Sequence, residues 1–323
     1  MNLNSKIYLV DTILNRLVTS ISAVVLFFAL LSVFEASYWP FEIVANFKEI
    51  IFWMTGALFL LALFSKKKPL AIALSGASLV FCGVSIIPFY WNSQVGTSNP
   101  KVINESPYRL VFANINSQNL NKQMLVEYVS DLKPDILMLA EASPEWESEI
   151  KILEQDLPHL KGIFLDSNFG LAVLSRIPIQ SDRVFLDRAN TIPALLISFK
   201  SASGPLNVAV LHAFPPLGWY GTISKNQYIR GLAQQLGELD GPLIACGDFN
   251  TSPWLKTMLE FSQISRLRLP GTPIGTWPAF PFIPKLPIDS CWTRHVEVIN
   301  YARGRDIGSD HYPLVLEFVL KHD

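Results

Sequence analysis

Three stretches in the first 91 residues are too apolar for too long to sit on the surface of a water-soluble protein. Residues 17–34, 50–64 and 69–91 contain no Asp, Glu, Lys or Arg. A bilayer core of ~30 Å needs roughly 20 apolar residues in helical form. The first and third stretches meet that length. The second reaches it only if residues 41–47 extend it past Lys48 and Glu49. Three membrane-spanning helices are therefore expected over residues 1–91. A cleaved signal peptide is the alternative for the first stretch. Two further apolar stretches, and the lack of a small-x-small cleavage site, speak against it.

Lys and Arg in short flanks set orientation. Lys6 and Arg16 precede the first stretch, and Lys66-Lys67-Lys68 separates the second from the third. The intervening loop carries Glu35, Glu42 and Glu49 against Lys48. The basic segments belong on the cytoplasmic side, which puts everything after Trp91 outside. Tyr38, Trp39, Tyr90 and Trp91 fall where interfacial aromatics anchor a span. The expected location is the cytoplasmic (inner) membrane, multi-pass, with an extracytoplasmic domain.

Residues 92–107 are rich in Ser, Asn, Pro and Gly and read as a linker. Residues 108–323 then suffice for one large core. The first 91 residues hold 6 Lys and Arg against 4 Asp and Glu, so the remainder holds 20 against 23, a balance of −3. Non-specific nucleic-acid binding rests on cations that neutralise phosphates, and this domain lacks that overall excess. Cys246 and Cys291 both lie in apolar surroundings. They can pair in an oxidising compartment, but buried free thiols are the favoured reading.

Apolar runs of strand length recur after residue 108. They cover 110–115, 136–140, 163–165, 171–174, 194–199, 206–211, 243–246 and 314–320. Leu125, Val129 and Leu132 follow helical spacing, and 146–157 and 224–239 also read as helices. Thr251-Ser252-Pro253 is expected to cap a helix through about Ser262. Strands alternating with helices in this way predict a layered α/β sandwich.

Polar groups recur where these strands end. Asn114 and Asn116 follow the first, Glu141 the second, His212 the run 208–211, and Asp248 and Asn250 the run 244–246. Asp289 follows a Pro-Ile step, and Asp310-His311 precedes the last strand. Singly, each is more often a cap or a solvated side chain. Their accumulation at similar positions points to one shared rim. Acids, amides and imidazoles together suit hydrolysis of a phosphate ester with a hard metal ion.

The blocks Gly247-Asp248-Phe249-Asn250 and Ser309-Asp310-His311, with Asn114, Glu141 and Leu174-Ser175-Arg176-Ile177-Pro178, resemble the endonuclease/exonuclease/phosphatase superfamily. With the preceding apolar stretches, the chain looks most like its membrane-anchored bacterial members. The resemblance implies a four-layer α/β sandwich of DNase-I-like type. It also implies Mg²⁺, with Mn²⁺ as the alternative. Glu141 matches the metal-ligand glutamate, Asp310 a second ligand or water-holding carboxylate, and Asn114 an asparagine near metal and phosphate. Asp248 and Asn250 match the pair that orients water and holds a phosphate oxygen. His311 matches the general base and Asp289 the carboxylate that orients it. His212 matches the histidine that stabilises or protonates the leaving oxygen.

Two positions depart from the pattern. Some nucleases of the superfamily pair the His212-like residue with a glutamate, whereas this chain has Asn168-Phe169-Gly170. Ile288-Asp289-Ser290-Cys291-Trp292 lacks the second histidine of many relatives. Arg176 and Arg230 are the anion-binding candidates, Arg176 being expected among the phosphate contacts. Residues 214–220 form an apolar loop directly after His212, and Trp277, Phe280, Pro281 and Phe282 a second. Each either folds over the core or meets lipid.

The expected activity is metal-dependent hydrolysis of a phosphate ester or pyrophosphate. A membrane lipid or lipid-linked phosphate is the expected substrate. A membrane-anchored nuclease is the first rival, and nucleic acid the less favoured partner. A silent binding module is the second rival, disfavoured because every expected polar position is filled. A transporter is disfavoured because the apolar stretches hold no charge.

Overall fold

The computed structural model describes residues 3–35, 39–64, 69–91, 106–187, 192–201 and 203–320. Lys66-Lys67-Lys68 and residues 92–105 of the expected linker lie outside them. The chain divides into two compact units, Met1–Trp91 and Asn92–Asp323.

The first unit is helical: α1 (Leu3–Leu31), α2 (Trp39–Asn46), α3 (Lys48–Leu63) and α4 (Pro69–Trp91). Tyr8–Phe34 and Pro69–Trp91 are each long and apolar enough to cross a membrane. The middle stretch differs from a straight span. It breaks at Phe47, where α2 and α3 meet at 60°. Lys48 turns inward there and its Nζ bonds Glu35 Oε2 at 2.8 Å. The bend thus pairs a charge that interrupts the apolar stretch. Two helices qualify as spans, or three if the bent pair counts as one.

The second unit is a sandwich of two sheets. In chain order its elements are β1 (Tyr108–Asn114), α5 (Gln123–Leu132), β2 (Ile136–Ala140), α6 (Glu147–Leu153), β3 (His159–Ile163), β4 (Leu171–Ser175) and β5 (Ile179–Leu186). Then come β6 (Pro193–Ser201), β7 (Gly204–His212), α7 (Gly218–Gly237), β8 (Leu243–Asp248), α8 (Lys256–Ser265), β9 (Asp289–Arg294), β10 (Val296–Arg303) and β11 (Leu314–Leu320). One sheet runs β10-β11-β1-β2-β4-β3, the other β5-β6-β7-β8-β9. Strand alternation divides the side chains between layers. Leu110, Phe112 and Met138 face Val208, Val210 and Ile244 between the sheets. Val111, Ala113, Leu137 and Leu139 face Leu125, Val129, Trp146 and Ile150 on the outside. Phe261 of α8 covers the second sheet, meeting the rings of Phe249 and Trp292 at 5.3 and 5.7 Å. Helix, sheet, sheet, helix make the four layers.

Local signals mislead at four places. The strand expected over 163–165 lies earlier, over His159–Ile163, where pairing with β4 rather than an apolar run sets it. The helix expected from Thr251 begins at Lys256, because Leu255 N donates to Ser252 O and closes a separate turn first. β5 lacks an apolar run, since it is an exposed edge strand with mixed residues. Cys246 and Cys291 are disulfide-bonded rather than free. They are direct partners across β8 and β9, with Cα atoms 4.1 Å apart, a neighbourhood that a sequence separation of 45 conceals.

Candidate active site

Topology brings the polar strand ends to one rim. β1 and β2 run parallel, as do β7 and β8, so the C-terminal ends of each pair lie side by side. β9 is antiparallel to β8 and β11 to β1, so these two strands start at that same rim. The register sets His212 beside Asp248, and Asp248 beside Asp289. Gly247 allows the close approach. A Cβ there would lie 2.4 Å from Leu211 O and would force β7 and β8 apart next to the site.

Asn114 joins the two sheets. Its Nδ2 donates to Glu141 Oε1 and to Asp248 Oδ2, each at 3.1 Å. Asn116 donates from Nδ2 to Asp310 Oδ1 at 2.8 Å, and Trp277 Nε1 donates to Asp310 Oδ2 at 3.2 Å. Asn116, Glu141 and Asn250 all have left-handed backbones, with φ of 54°, 62° and 50°. Such conformations cost a non-glycine residue roughly 1–3 kcal/mol and persist where surroundings enforce them. Ser117 N donates to Glu141 Oε2 at 3.1 Å, and Asn250 N to Asp248 Oδ1 at 2.8 Å. The bent backbones aim these side chains into the mouth between the sheets.

The two imidazoles are held differently. His311 Nδ1 lies 2.7 Å from Asp289 Oδ2, which also accepts from Thr276 Oγ1. That pairing places a proton on Nδ1 and leaves Nε2 facing Asp248 Oδ2 at 3.8 Å. Burial pulls the His311 pKa down, but the Asp289 carboxylate, with Asp248 and Asp310 behind it, outweighs burial and carries it up to about 10. Asp248 is pushed up to about 6, by burial first and then by Asp289, against the pull of His311 and His212. His212 Nδ1 instead donates to the backbone oxygen of Asn168 at 2.6 Å, leaving Nε2 3.5 Å from Asp248 Oδ2.

The donor set fits a hard divalent cation. Glu141, Asp248, Asp289 and Asp310 crowd one rim, and the charges acting on Asp248 are those of another carboxylate and two imidazoles. Asp289 Oδ1 is buried with no hydrogen-bond partner. Asp248, Asp289 and His311 bring one donor atom each within 4.8 Å of one another. His311 Nδ1 and Asp289 Oδ2 are spent on each other, however, and an ion between them would break that pair. Glu141, bonded only through neutral amides, offers carboxylate oxygens without that conflict.

Asn114, Glu141, His212, Asp248, Asn250, Asp289, Asp310 and His311 thus share the rim. Arg176 does not. β4 is antiparallel to β2 and pairs Ser175 with Ile136, at the end of the sheet away from Glu141. Arg176 is exposed there, its N donating to Asp135 O at 2.9 Å. The arginine expected to bind phosphate therefore lies at the wrong end of its strand. Arg230 is bound to Glu260 Oε2 at 2.5 Å. Thr276 and Ser117 are site groups that residue patterns miss, while Trp277 stands out only as part of an apolar loop and Asn168 only as a position without a carboxylate. Asn116, among the strand-end polar groups, does reach the rim through Asp310.

A two-sheet sandwich with acids, amides and a carboxylate-paired imidazole on one rim defines the DNase-I-like class of folds. The model of the Endonuclease/Exonuclease/phosphatase family matches residues 111–311, and the chain belongs to that family. A UPF0294 protein of Vibrio cholerae serotype O1 is 29% identical over 101 residues, 31% of this chain and 36% of that protein. The chain therefore matches little more than a third of that relative's length. Among solved structures, D. rerio TDP2 complexed with single strand DNA product aligns at a TM-score of 0.55 with 15% identity, over 67% of this chain and 100% of that one. The human Nocturnin catalytic domain with bound sulfate aligns at 0.53 with 21% identity, over 67% and 95%. Both likenesses are of fold. Members of the family are hydrolases of phosphoester bonds, and they commonly use divalent metals.

Proposed function

We propose that this protein hydrolyses a phosphate ester or pyrophosphate on a lipid-linked substrate, at the outer face of the cytoplasmic membrane. The observation that carries the hydrolytic reading is one line of polar groups, hydrogen-bonded except for the 3.8 Å step from Asp248 to His311. It runs from Glu141 through Asn114 and Asp248 to His311 and Asp289, across both sheets. Glu141 would hold Mg²⁺, or Mn²⁺, with Asn114 and Asp310 beside it. When bound, the ion would polarise a phosphoryl oxygen and offset part of the carboxylate charge around His311. Asp248 orients the attacking water. His311 Nε2 takes its proton, and Asp289 stabilises the resulting imidazolium. The Asn250 amide donates to a phosphoryl oxygen. His212, whose Nδ1 donates to the Asn168 carbonyl, presents Nε2 toward the leaving oxygen and would protonate it as an imidazolium. The carbonyl orients the ring but supplies no charge in place of the missing glutamate.

Support for the lipid and the location comes from outside the site. The apolar N-terminal helices supply an anchor, and the domain's balance of −3 gives no excess of cations for nucleic acid. The Cys246–Cys291 disulfide favours an oxidising compartment, in line with the basic segments lying inside. The test is the purified full chain on three substrates: DNA, a phosphodiester lipid and a pyrophosphoryl lipid. Each is run with Mg²⁺ and with chelator. Chelator-sensitive product from a lipid is expected. Cleavage of DNA with none of either lipid would overturn the lipid reading.

A further inference from the structure

Two rows of aromatic side chains run from the site's imidazoles out to solvent. From His212, ring contacts pass through Phe169 and Phe214 to Tyr220, with successive centroids 5.3, 4.9 and 6.3 Å apart. From His311, the Trp277 ring stands at 6.4 Å, and Ala279 N donates to Asp310 O before the chain turns through Phe280, Phe282 and Ile283. Both rows end bare: Leu217 and Tyr220 are 70% exposed, Trp219 and Phe280 58%, and Phe282 fully. Residues 213–223 and 277–284 contain no Asp, Glu, Lys or Arg.

The tips are held outward rather than left loose. Lys285 Nζ donates to the carbonyls of Phe280 and Ile283 at 2.8 and 2.7 Å, pinning the second loop as a turn. Gly218, at φ +73°, opens α7 and sets Trp219 and Tyr220 on its first turn. Apolar groups clustered and exposed in this way mark an interaction surface. Trp and Tyr favour the boundary between water and hydrocarbon, where the ring is dry and its polar edge wet.

We propose that these two loops insert into the interfacial layer of a lipid bilayer and seat the mouth of the site on it. The bilayer is chosen over a protein partner because the chain brings one along. The 16 residues from 92 to 107 span at most roughly 55 Å when extended, so the membrane holding α4 is always within reach. The inference rests on the proposed anchorage but not on which lipid is hydrolysed.

The test uses the full chain in proteoliposomes of phosphatidylethanolamine and phosphatidylglycerol. A photocrosslinking amino acid is placed singly at positions 217, 282 and 176, the last exposed at the far end of the sandwich. Lipid adducts are expected at 217 and 282 and not at 176. Removing one large apolar side chain weakens insertion roughly tenfold or more. W219S with F282S should therefore lower the adduct at 217 by at least that factor, while circular dichroism shows the fold kept. Equal adducts at all three positions, or adducts to protein at 217 and 282, would overturn the proposal. Lipid adducts at 217 and 282 from a protein that cleaves only DNA would uphold the docking and defeat the substrate reading.

Discussion

The two ends of the sandwich are made from the same strands and are built to opposite rules. At the far end of the first sheet, charges meet opposite charges. Arg109 donates through Nε and Nη2 to Glu317 Oε1 at 2.9 and 2.7 Å, and Asp135 Oδ2 accepts from Arg109 N. One left-handed residue there, Lys133, at φ 51°, is an ordinary cap that ends α5 through its N–H to Val129 O. At the site end, carboxylates face one another and two imidazoles, and three left-handed residues hold functional side chains. One end is arranged for stability. The other keeps repulsion and strain that the rest of the fold must sustain.

The sharpest way to test that contrast is Asp289→Asn, at the site end. Loss of the carboxylate that orients a general base costs about 10²–10⁴-fold in rate. The His311 pKa should fall from about 10, as a titration followed by NMR would record. Stability should respond as well. Asp248 and His311 both have folded pKa values above their ordinary ones, so each favours the fold most at low pH. That contribution is lost as pH rises through about 6 for Asp248 and about 10 for His311. In the Asn variant, denaturation midpoints should change less between pH 7 and 10 than in the parent.

The next effect is on stability. Replacing Cys246 and Cys291 together by Ala opens a 45-residue loop, which chain entropy values at about 4 kcal/mol. Urea unfolding of the C-terminal unit within the full chain would register it. Smaller still is Arg109→Ala at the far end. It should lose about 1 kcal/mol, as expected for a half-exposed ion pair, and leave hydrolysis unchanged. The smallest is Lys133→Gly, which relieves the left-handed cap and should gain up to about 1 kcal/mol. A fall in activity from either far-end change would break the contrast between the ends.

Much of this was legible in the sequence. Strand-terminal polar groups stand out because an apolar run ends or begins abruptly at most of them, and parallel pairs that end at one rim, with antiparallel partners that start there, bring them together. Asp248, Asp289 and His311 meet for that reason. What stayed hidden depends on partners distant in the chain. The His212 contact is a main-chain carbonyl, which no residue type encodes. The Cys246–Cys291 pairing depends on which strand follows β8 in the sheet. Arg176 misleads because its turn motif is clear while strand direction, which decides the end it occupies, is not. The break at Phe47 comes with the pairing of Lys48 and Glu35, which a hydropathy run cannot display.

Most direct is a comparison of phosphodiester hydrolysis by the full chain, with Mg²⁺ and with chelator, for the parent, Asp248→Asn and Glu141→Gln. These two residues come from different sheets and share only the amide of Asn114. One centre predicts chelator-sensitive turnover that falls by about 10² or more in each variant, and no further when the two are combined. Full activity in either variant, or losses that multiply in the double variant, would mean that the two sheets do not build one site.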